Sequence, residues 1–143
     1  MLNGSPEYQG GALANFWRSA ENVHVVPQGA PMTWAVSQAA PLRRTAIDGD
    51  LNLYHYQSGQ WAGYASGGFM ADVRVTGKVE SGSQQQYIIR NSEIGEWSGG
   101  VWNMVFVGST GAPESHCSNS GSPPATTVEE TPLIAEKAYI VSE

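Results

Sequence analysis

With a formal net charge of −6 and only 7 lysines and arginines among its 143 residues, the chain offers no basic surface for a nucleic-acid backbone or an anionic membrane. Charged residues make up only 14% of it, while 17 glycines and 8 prolines punctuate it. Its polar surface must therefore come mostly from Ser, Thr, Asn and Gln, as suits short strands joined by turns and a secreted surface that meets neutral ligands. No apolar run is long enough to span a bilayer, and the lone Cys117 excludes an internal disulfide framework.

Residues 1–14 are Gly-rich and read as a loop or linker. Their opening, MLNGSPEYQGG, has neither a charged n-region nor an apolar h-region, so no signal peptide is visible. Both ends read as cut, and the chain is expected to be part of a larger secreted protein. Next, the stretch ANFWRSAENVHVVP, from Ala14 to Pro27, gives an alternating run in which Val23 and Val25 share one face and His24 takes the other. The next stretch repeats the idea, with strand-like Trp34 to Val36, a break at Pro41, then Thr45 and Ile47, then Leu51 and Leu53. Residues 54–68 are aromatic and Gly-rich and suit a loop at a strand edge. Alternation returns cleanly at Val73, Val75 and Val79, and the runs QYIIRNSEIGEW and VWNMVFVGS follow. Residues 111–132 are rich in Ser, Pro, Thr and Glu and read as a long excursion before a final short strand near Ala138 to Val141.

A soft internal repeat organises these runs. With Val23, Thr45, Val73, Ile94 and Ser109 as equivalent points, the steps are 22, 28, 21 and 15. An average of about 21 residues is the scale of one coil of a right-handed parallel β-helix. No helical period is sustained, because Gly and Pro interrupt every window long enough to test. The expected fold is all-β: residues 15–143 form an incomplete, pectin-lyase-like parallel β-helix of about four to five coils with long loops. Asn22, Asp72 and Glu93, each just before a marker residue, would form a polar row, most simply as turn chemistry.

Candidate chemistry is sparse. Glycoside hydrolysis generally needs two carboxylates. Glu93 and Glu96 are three apart, which in a strand sends them to opposite faces unless Gly95 turns the chain. Asp48 and Asp50 in the DGD sequence read as a solvated turn. His24, His55 and His116 lack ligand spacing, so no metal is expected, and no GxGxxG, Walker or GxSxG motif points to a cofactor or a serine nucleophile. Sugar recognition fits better, since amides and hydroxyls read ring hydroxyls while aromatic planes stack on sugar faces. The candidate substrate contacts are Trp61, Tyr64, Trp97 and Asn103, beside the amide-rich run Gln84, Gln85, Gln86. Alternation forbids all three glutamines from facing one ligand, so at least one is expected in a buried amide ladder. Trp34 and Trp102 are expected in the core.

The phrases FWRSAENV, WAVSQAAPLRR, YASGGFMADVRVTGKV, GSQQQYIIRNSEIGEWSGGVWNMVFVGSTGAP and TTVEETPLIAEKAYI, spread over nearly the whole chain, resemble a family of large secreted β-helix proteins. Members of that family carry labels such as "adenylyl cyclase" or "coagulation factor 5/8 type domain protein", though no aspartate pair or nucleotide loop here supports a cyclase. Its architecture is similar to that of glycoside hydrolase family 55, β-1,3-glucanases built from two tandem β-helices with the cleft between them. The resemblance implies a β-glucan-like polysaccharide substrate and a partner second β-helix of the same polypeptide, which supplies a glutamate as general acid. It further implies that polar residues of the first helix position water or substrate, and Gln38, Ser83 and Gln85 are the candidates by their place in the coils. Where relatives read VFSGVEGAP this chain reads VFVGSTGAP, which moves a serine from the place of Val107 to Ser109. The alternative is a non-catalytic β-helix that binds glycan or cell-wall material.

Overall fold

The computed structural model describes residues 2–3, 12–57, 61–118, 122–133 and 137–139. In chain order the strands are β1 (Leu2–Asn3), β2 (Ala20–Val25), β3 (Met32–Trp34), β4 (Pro41–Ile47), β5 (Leu51–Asn52), β6 (Tyr56–Gln57) and β7 (Trp61–Ala62). They continue with β8 (Gly68–Ala71), β9 (Arg74–Glu80), β10 (Gln86–Arg90), β11 (Glu93–Ser98), β12 (Asn103–Val107) and β13 (Ala125–Val128). Apart from the antiparallel β6–β7 hairpin, every ladder between these strands is parallel, and no strand pairs with its immediate neighbour in sequence except β12 with β13. The chain therefore winds as a parallel β-helix of about five coils, each strand resting on its counterpart one coil earlier.

Three faces close each coil. The first stacks β4, β8, β10, β12 and β13, with Leu42 on Met70, Met70 on Ile89 and Ile89 on Phe106. The second stacks Ile47 on Val75 and Val75 on Ile94, and the third stacks Leu51 on Val79 and Val79 on Trp97. These aliphatic ladders make one continuous core, and Leu42, Ile47, Leu51, Met70, Val79, Ile89 and Phe106 are fully buried in it. Each such side chain contributes about 1.5–3 kcal/mol on burial. No single coil could bury its apolar face alone, so stacking is what makes the fold stable.

The bend between the first and second faces is made the same way in every coil. Asn22, Arg44, Asp72 and Asn91 have φ of 55°, 47°, 56° and 47°, and Gly108 takes the same place with φ 56°. One left-handed residue swings the chain round and breaks strand alternation, so that Leu42 and Thr45, three apart, both point inward. The cost of that conformation is smallest for Asn, Asp and Gly, which occupy four of the five positions. A hydroxyl follows at three of the bends. Thr45 Oγ1 donates to Arg43 O at 3.0 Å, Ser92 Oγ to Arg90 O at 2.8 Å and Ser109 Oγ to Val107 O at 3.2 Å. Between coils, Val73 N–H donates to Ser92 Oγ at 3.1 Å and Ser92 N–H to Ser109 Oγ at 3.3 Å.

This bend corrects the expected repeat. Ala46 pairs with Arg74, Arg74 with Glu93 and Glu93 with Thr110, so the residue stacked on Val73 is Ser92, not Ile94, and the steps are 22, 28, 19 and 17. The polar row accordingly runs through Asn91 rather than Glu93. A slip of two residues preserves every inward and outward assignment, so hydrophobic alternation cannot detect it. Pro41, expected as a break, opens β4 instead, since the first residue of a strand needs no N–H. Residues 54–68 carry the β6–β7 hairpin, with 58–60 outside the described residues. Within 111–132, Ala125–Val128 pairs with β12. At the chain's end Ala138 and Tyr139 form no strand, and Ile140 and Val141 lie outside the described residues. Before that, Lys137 Nζ meets Glu21 at 2.8 Å and the Arg44 guanidinium lies 4.3 Å from the Tyr139 ring centroid, so this segment crosses the bend column.

The turn between the second and third faces stacks Gly49, Gly77 and Gly95, with no room for a side chain at Gly77 or Gly95. A Cβ on Gly77 would lie 2.1 Å from Asp50 Oδ1 and 2.8 Å from the Gly49 carbonyl carbon. Gly77→Ala is therefore expected to destabilise the chain by about 1–3 kcal/mol, read as a lower denaturation midpoint. An unchanged midpoint would show that the coils part there freely. On the outside of the same turn, a 2.7 Å hydrogen bond from His24, with Arg74 at 3.0 Å, holds the Asp48 carboxyl below its ordinary range. A depressed carboxyl stabilises the fold above its unfolded value and loses that contribution as pH falls through the folded one. Stability should thus drop in acid below about pH 4, and Asp48→Asn should flatten that limb of a midpoint-versus-pH curve.

Candidate functional site

The return turns, which carry the chain from the third face back to the first, hold the amide-rich residues. Ala65 pairs in parallel with Gln84, which sets Ser66 beside Gln85 in the next coil. Gln38 Nε2 donates to Ser66 Oγ at 3.3 Å, and Ser66 Oγ donates to Gln85 Oε1 at 2.8 Å. Three side chains from three successive coils thus form one hydrogen-bonded row along the helix axis. Their steps of 28 and 19 repeat those from Arg44 to Asp72 to Asn91 at the bend. Ser66 was not among the expected site residues, and its signal in the sequence is that shared spacing.

A second layer holds the row from beneath. Ser66 N–H donates to Ser37 Oγ at 3.1 Å, and the buried Ser37 hydroxyl donates to Ala12 O at 3.1 Å. Gln84 points the opposite way from Gln85 and is 0% exposed, with Nε2 donating to Val36 O at 2.9 Å and Leu53 O at 2.8 Å. One glutamine is buried, as alternation requires, though it bonds to backbone carbonyls of two earlier coils rather than to other amides. Leaving such carbonyls unpaired costs about 1–3 kcal/mol each, so Gln84 fixes the turns on either side of the row.

Two cavities flank the row. One of about 390 Å³ is lined by Gln38, Arg43, Gly67, Phe69, Gln86 and Ile88 among others. The Arg43 and Arg90 guanidiniums lie 4.6 and 5.3 Å from the Phe69 ring centroid in its wall. The other, of about 240 Å³, is lined by Leu13, Tyr64, Ala65, Ser83, Gln85 and Val101. Among the described residues no carboxylate lines either one.

The remaining expected residues divide. Tyr64, 66% exposed, stands beside Ser83 and Gln85 at the smaller cavity. The Ser83 hydroxyl donates to Gly63 O, so it braces the preceding coil while lining that cavity. Asn103 is exposed and in register with Gln86. Trp97 is half-buried against the core, its ring 6.0 Å from Tyr87 and edge-on to Phe106 at 5.1 Å, and it lines a separate pocket with Ser98, Pro113 and His116, away from the row. The side chain of Trp61 lies outside the described residues. Trp34 is in the core as expected, whereas Trp102 is 55% exposed, because it follows Val101 on the outward side of a return turn.

Among the described residues, the candidate carboxylates sit on other faces of the coil. A bulge between Ile94 and Glu96 undoes alternation at Gly95, so Glu93 and Glu96 are both exposed, opposite Arg74 and Lys78. Asp50 Oδ1 accepts the Lys78 N–H at 2.8 Å, as turn chemistry. Among the described residues no group of three or more His, Cys, Asp or Glu is placed to hold a metal ion, and no helix is long and apolar enough to cross a membrane. Cys117 is exposed and free.

No family model matches the chain. An exo-β-1,3-glucanase of Streptomyces sp. (strain SirexAA-E / ActE) is 46% identical over 133 residues, taking in 93% of this chain and 21% of the enzyme. The solved structure of sacteLam55A from Streptomyces sp. SirexAA-E matches with a TM-score of 0.81 at 46% identity, over 94% of this chain and 23% of that one. A glutamate-to-alanine variant of sacteLam55A in complex with glucose matches with a TM-score of 0.81 at 42% identity, over 97% of this chain and 24% of that one. In sequence and in fold the chain is thus similar to one segment, about a fifth of the length, of an exo-β-1,3-glucanase.

Proposed function

We propose that the chain is the water- and sugar-holding segment of a secreted β-glucan hydrolase of the glycoside hydrolase family 55 type. The Gln38–Ser66–Gln85 row is the working element, and the observation that carries this reading is that row, bonded side chain to side chain between two cavities. Amides and hydroxyls hold water or a sugar hydroxyl by donating and accepting hydrogen bonds. Neither group titrates near neutrality, so the row cannot protonate a leaving oxygen. The general acid comes from elsewhere in a longer polypeptide, in keeping with the carboxylate-free lining of both cavities among the described residues. Tyr64 flanks the bound sugar, Ser83 and Asn103 complete the polar rim, and Trp97, at a separate pocket, is the outlying contact.

The same lack of carboxylates also suits a non-catalytic β-helix that binds glucan. The two readings separate in a longer protein containing this chain, where a hydrolase releases reducing ends from laminarin and a binder only retains it.

The 143-residue chain alone is expected to release no reducing ends from laminarin, and clear turnover would sink the assignment of the acid to another segment. Ser66→Ala and Gln85→Ala should each weaken binding of laminari-oligosaccharides by about three- to ten-fold, the range of one hydrogen bond. Titration followed by heteronuclear NMR reads this directly, and unaltered constants in both variants would remove the row from the site.

A further inference from the structure

The row does not stop at Gln85. Trp102 N–H and Asn103 N–H both donate to Gln85 O, at 2.9 and 3.1 Å, so Trp102 stands one coil beyond Gln85 as Gln85 stands one coil beyond Ser66. The step of 17 from Gln85 to Trp102 equals that from Asn91 to Gly108 at the bend. Successive positions in such a column are about 4.8 Å apart, close to the length of one pyranose unit in a chain.

The indole at this place is singled out by its position rather than by exposure alone. Trp17 is more exposed, at 85%, but has no place in the row; Trp34 is 3% exposed and Trp97 is half-buried against Tyr87 and Phe106, whereas Trp102 is 55% exposed, continues the row and follows Val101, which is 51% exposed and lines the smaller cavity with Gln85 and Tyr64. Apolar surface left in water forgoes about 25 cal/mol per Å², which a ligand lying on it recovers. A pyranose is suited to do so. Its two faces carry C–H bonds that lie on an aromatic plane, while its rim carries the hydroxyls that amides read.

We infer that Trp102 is a sugar platform, taking the pyranose next to the one held by Gln38, Ser66 and Gln85. The inference rests on the glucan reading above and extends it: the site becomes at least two sugars long, running along the helix axis, with recognition passing from hydrogen bonds to stacking within one coil. A single glucose can satisfy the row, but only a disaccharide or longer reaches the indole.

The test titrates the 143-residue chain with glucose, laminaribiose and laminaritriose, in wild type and in the Trp102→Ala, Trp102→Phe and Gln85→Ala variants. Trp102→Ala should weaken laminaritriose by about ten-fold, the worth of one stacked ring. The glucose constant should move far less, and Trp102→Phe should keep most of the trisaccharide affinity. Gln85→Ala should weaken all three ligands. If Trp102→Ala leaves laminaritriose unchanged, or weakens glucose and laminaritriose equally, while Gln85→Ala weakens binding, the platform is overturned and the row stands. If none of the variants changes binding, or the wild-type chain shows no saturable binding, the platform falls together with the reading beneath it. Because Trp102 is exposed, its variants are expected to fold, and a circular dichroism spectrum and denaturation midpoint equal to wild type confirm that a lost affinity is local.

Discussion

A parallel coil can rest on the one beneath it only if both follow the same path, and in this molecule the left-handed residue at the first bend enforces that. Asn22, Arg44, Asp72, Asn91 and Gly108 put the chain through one turn in five coils. The hydroxyls of Thr45, Ser92 and Ser109 accept or return the backbone hydrogen bonds that the bend would otherwise strand. A strand ladder tolerates a shift of two residues at little local cost, whereas a bend does not, since moving the left-handed place by two would put inward-facing Leu42, Met70, Ile89 or Phe106 there in one direction and Ala46, Arg74, Glu93 or Thr110 in the other, none of which tolerates positive φ as Asn, Asp and Gly do. Register is therefore set at the corner and inherited by the faces. The inner ladders of Leu42, Met70, Ile89 and Phe106 and the glycine column of Gly49, Gly77 and Gly95 both follow from it.

The outer row follows from it as well. Gln38, Ser66 and Gln85 are remote in sequence and adjacent only because their coils share a register. Length variation is absorbed between the third face and the row, where the β6–β7 hairpin is inserted without disturbing the step to the next coil. Beneath the surface, Gln84 and Ser37 convert the stacking of return turns into fixed positions for the side chains outside. A groove built this way holds no carboxylate among the described residues and a single cation, Arg43, laid on the Phe69 ring, whereas the acidic groups are gathered elsewhere: Asp48 with His24 and Arg74 in one cluster, and Glu93 and Glu96 in register with Arg74 and Lys78. That separation suits a neutral ligand, which would gain nothing from a strong local field and would pay for displacing the water around it.

Much of this was open to reading in the residues. Glycine and proline frequency, the absence of any helical period and repeated aliphatic alternation point to a β-solenoid with coils of about 21 residues, and the motif resemblance points to the glucanase that the comparisons then found. Alternation also shows that Gln84 and Gln85 face opposite ways, one to the core and one out, which the structure bears out. Gln38, Gln85 and Tyr64 do gather on one side. Ser66 and Trp102 share the coil spacing, but that signal is legible only once the register at the bend is known, and residue type alone places Trp102 in the core. Residue type could not show that Trp97 packs against Tyr87 and Phe106 and lines a pocket apart from the row.

What the sequence determined by itself is parity within each regular strand, and so the solenoid class and its approximate period, but not the bends or the Gly95 bulge where parity breaks. Tertiary structure alone decided the register, because inward and outward alternation repeats every two residues and is blind to a slip of that size. Placing Ile94 over Val73 satisfies the core as well as Ser92 does, and only the positive φ of Asn91 and the Ser92 hydroxyl bond to Val73 N–H choose between them. With the register fixed, the residue that joins the two glutamines is Ser66, and the next one along the axis is Trp102.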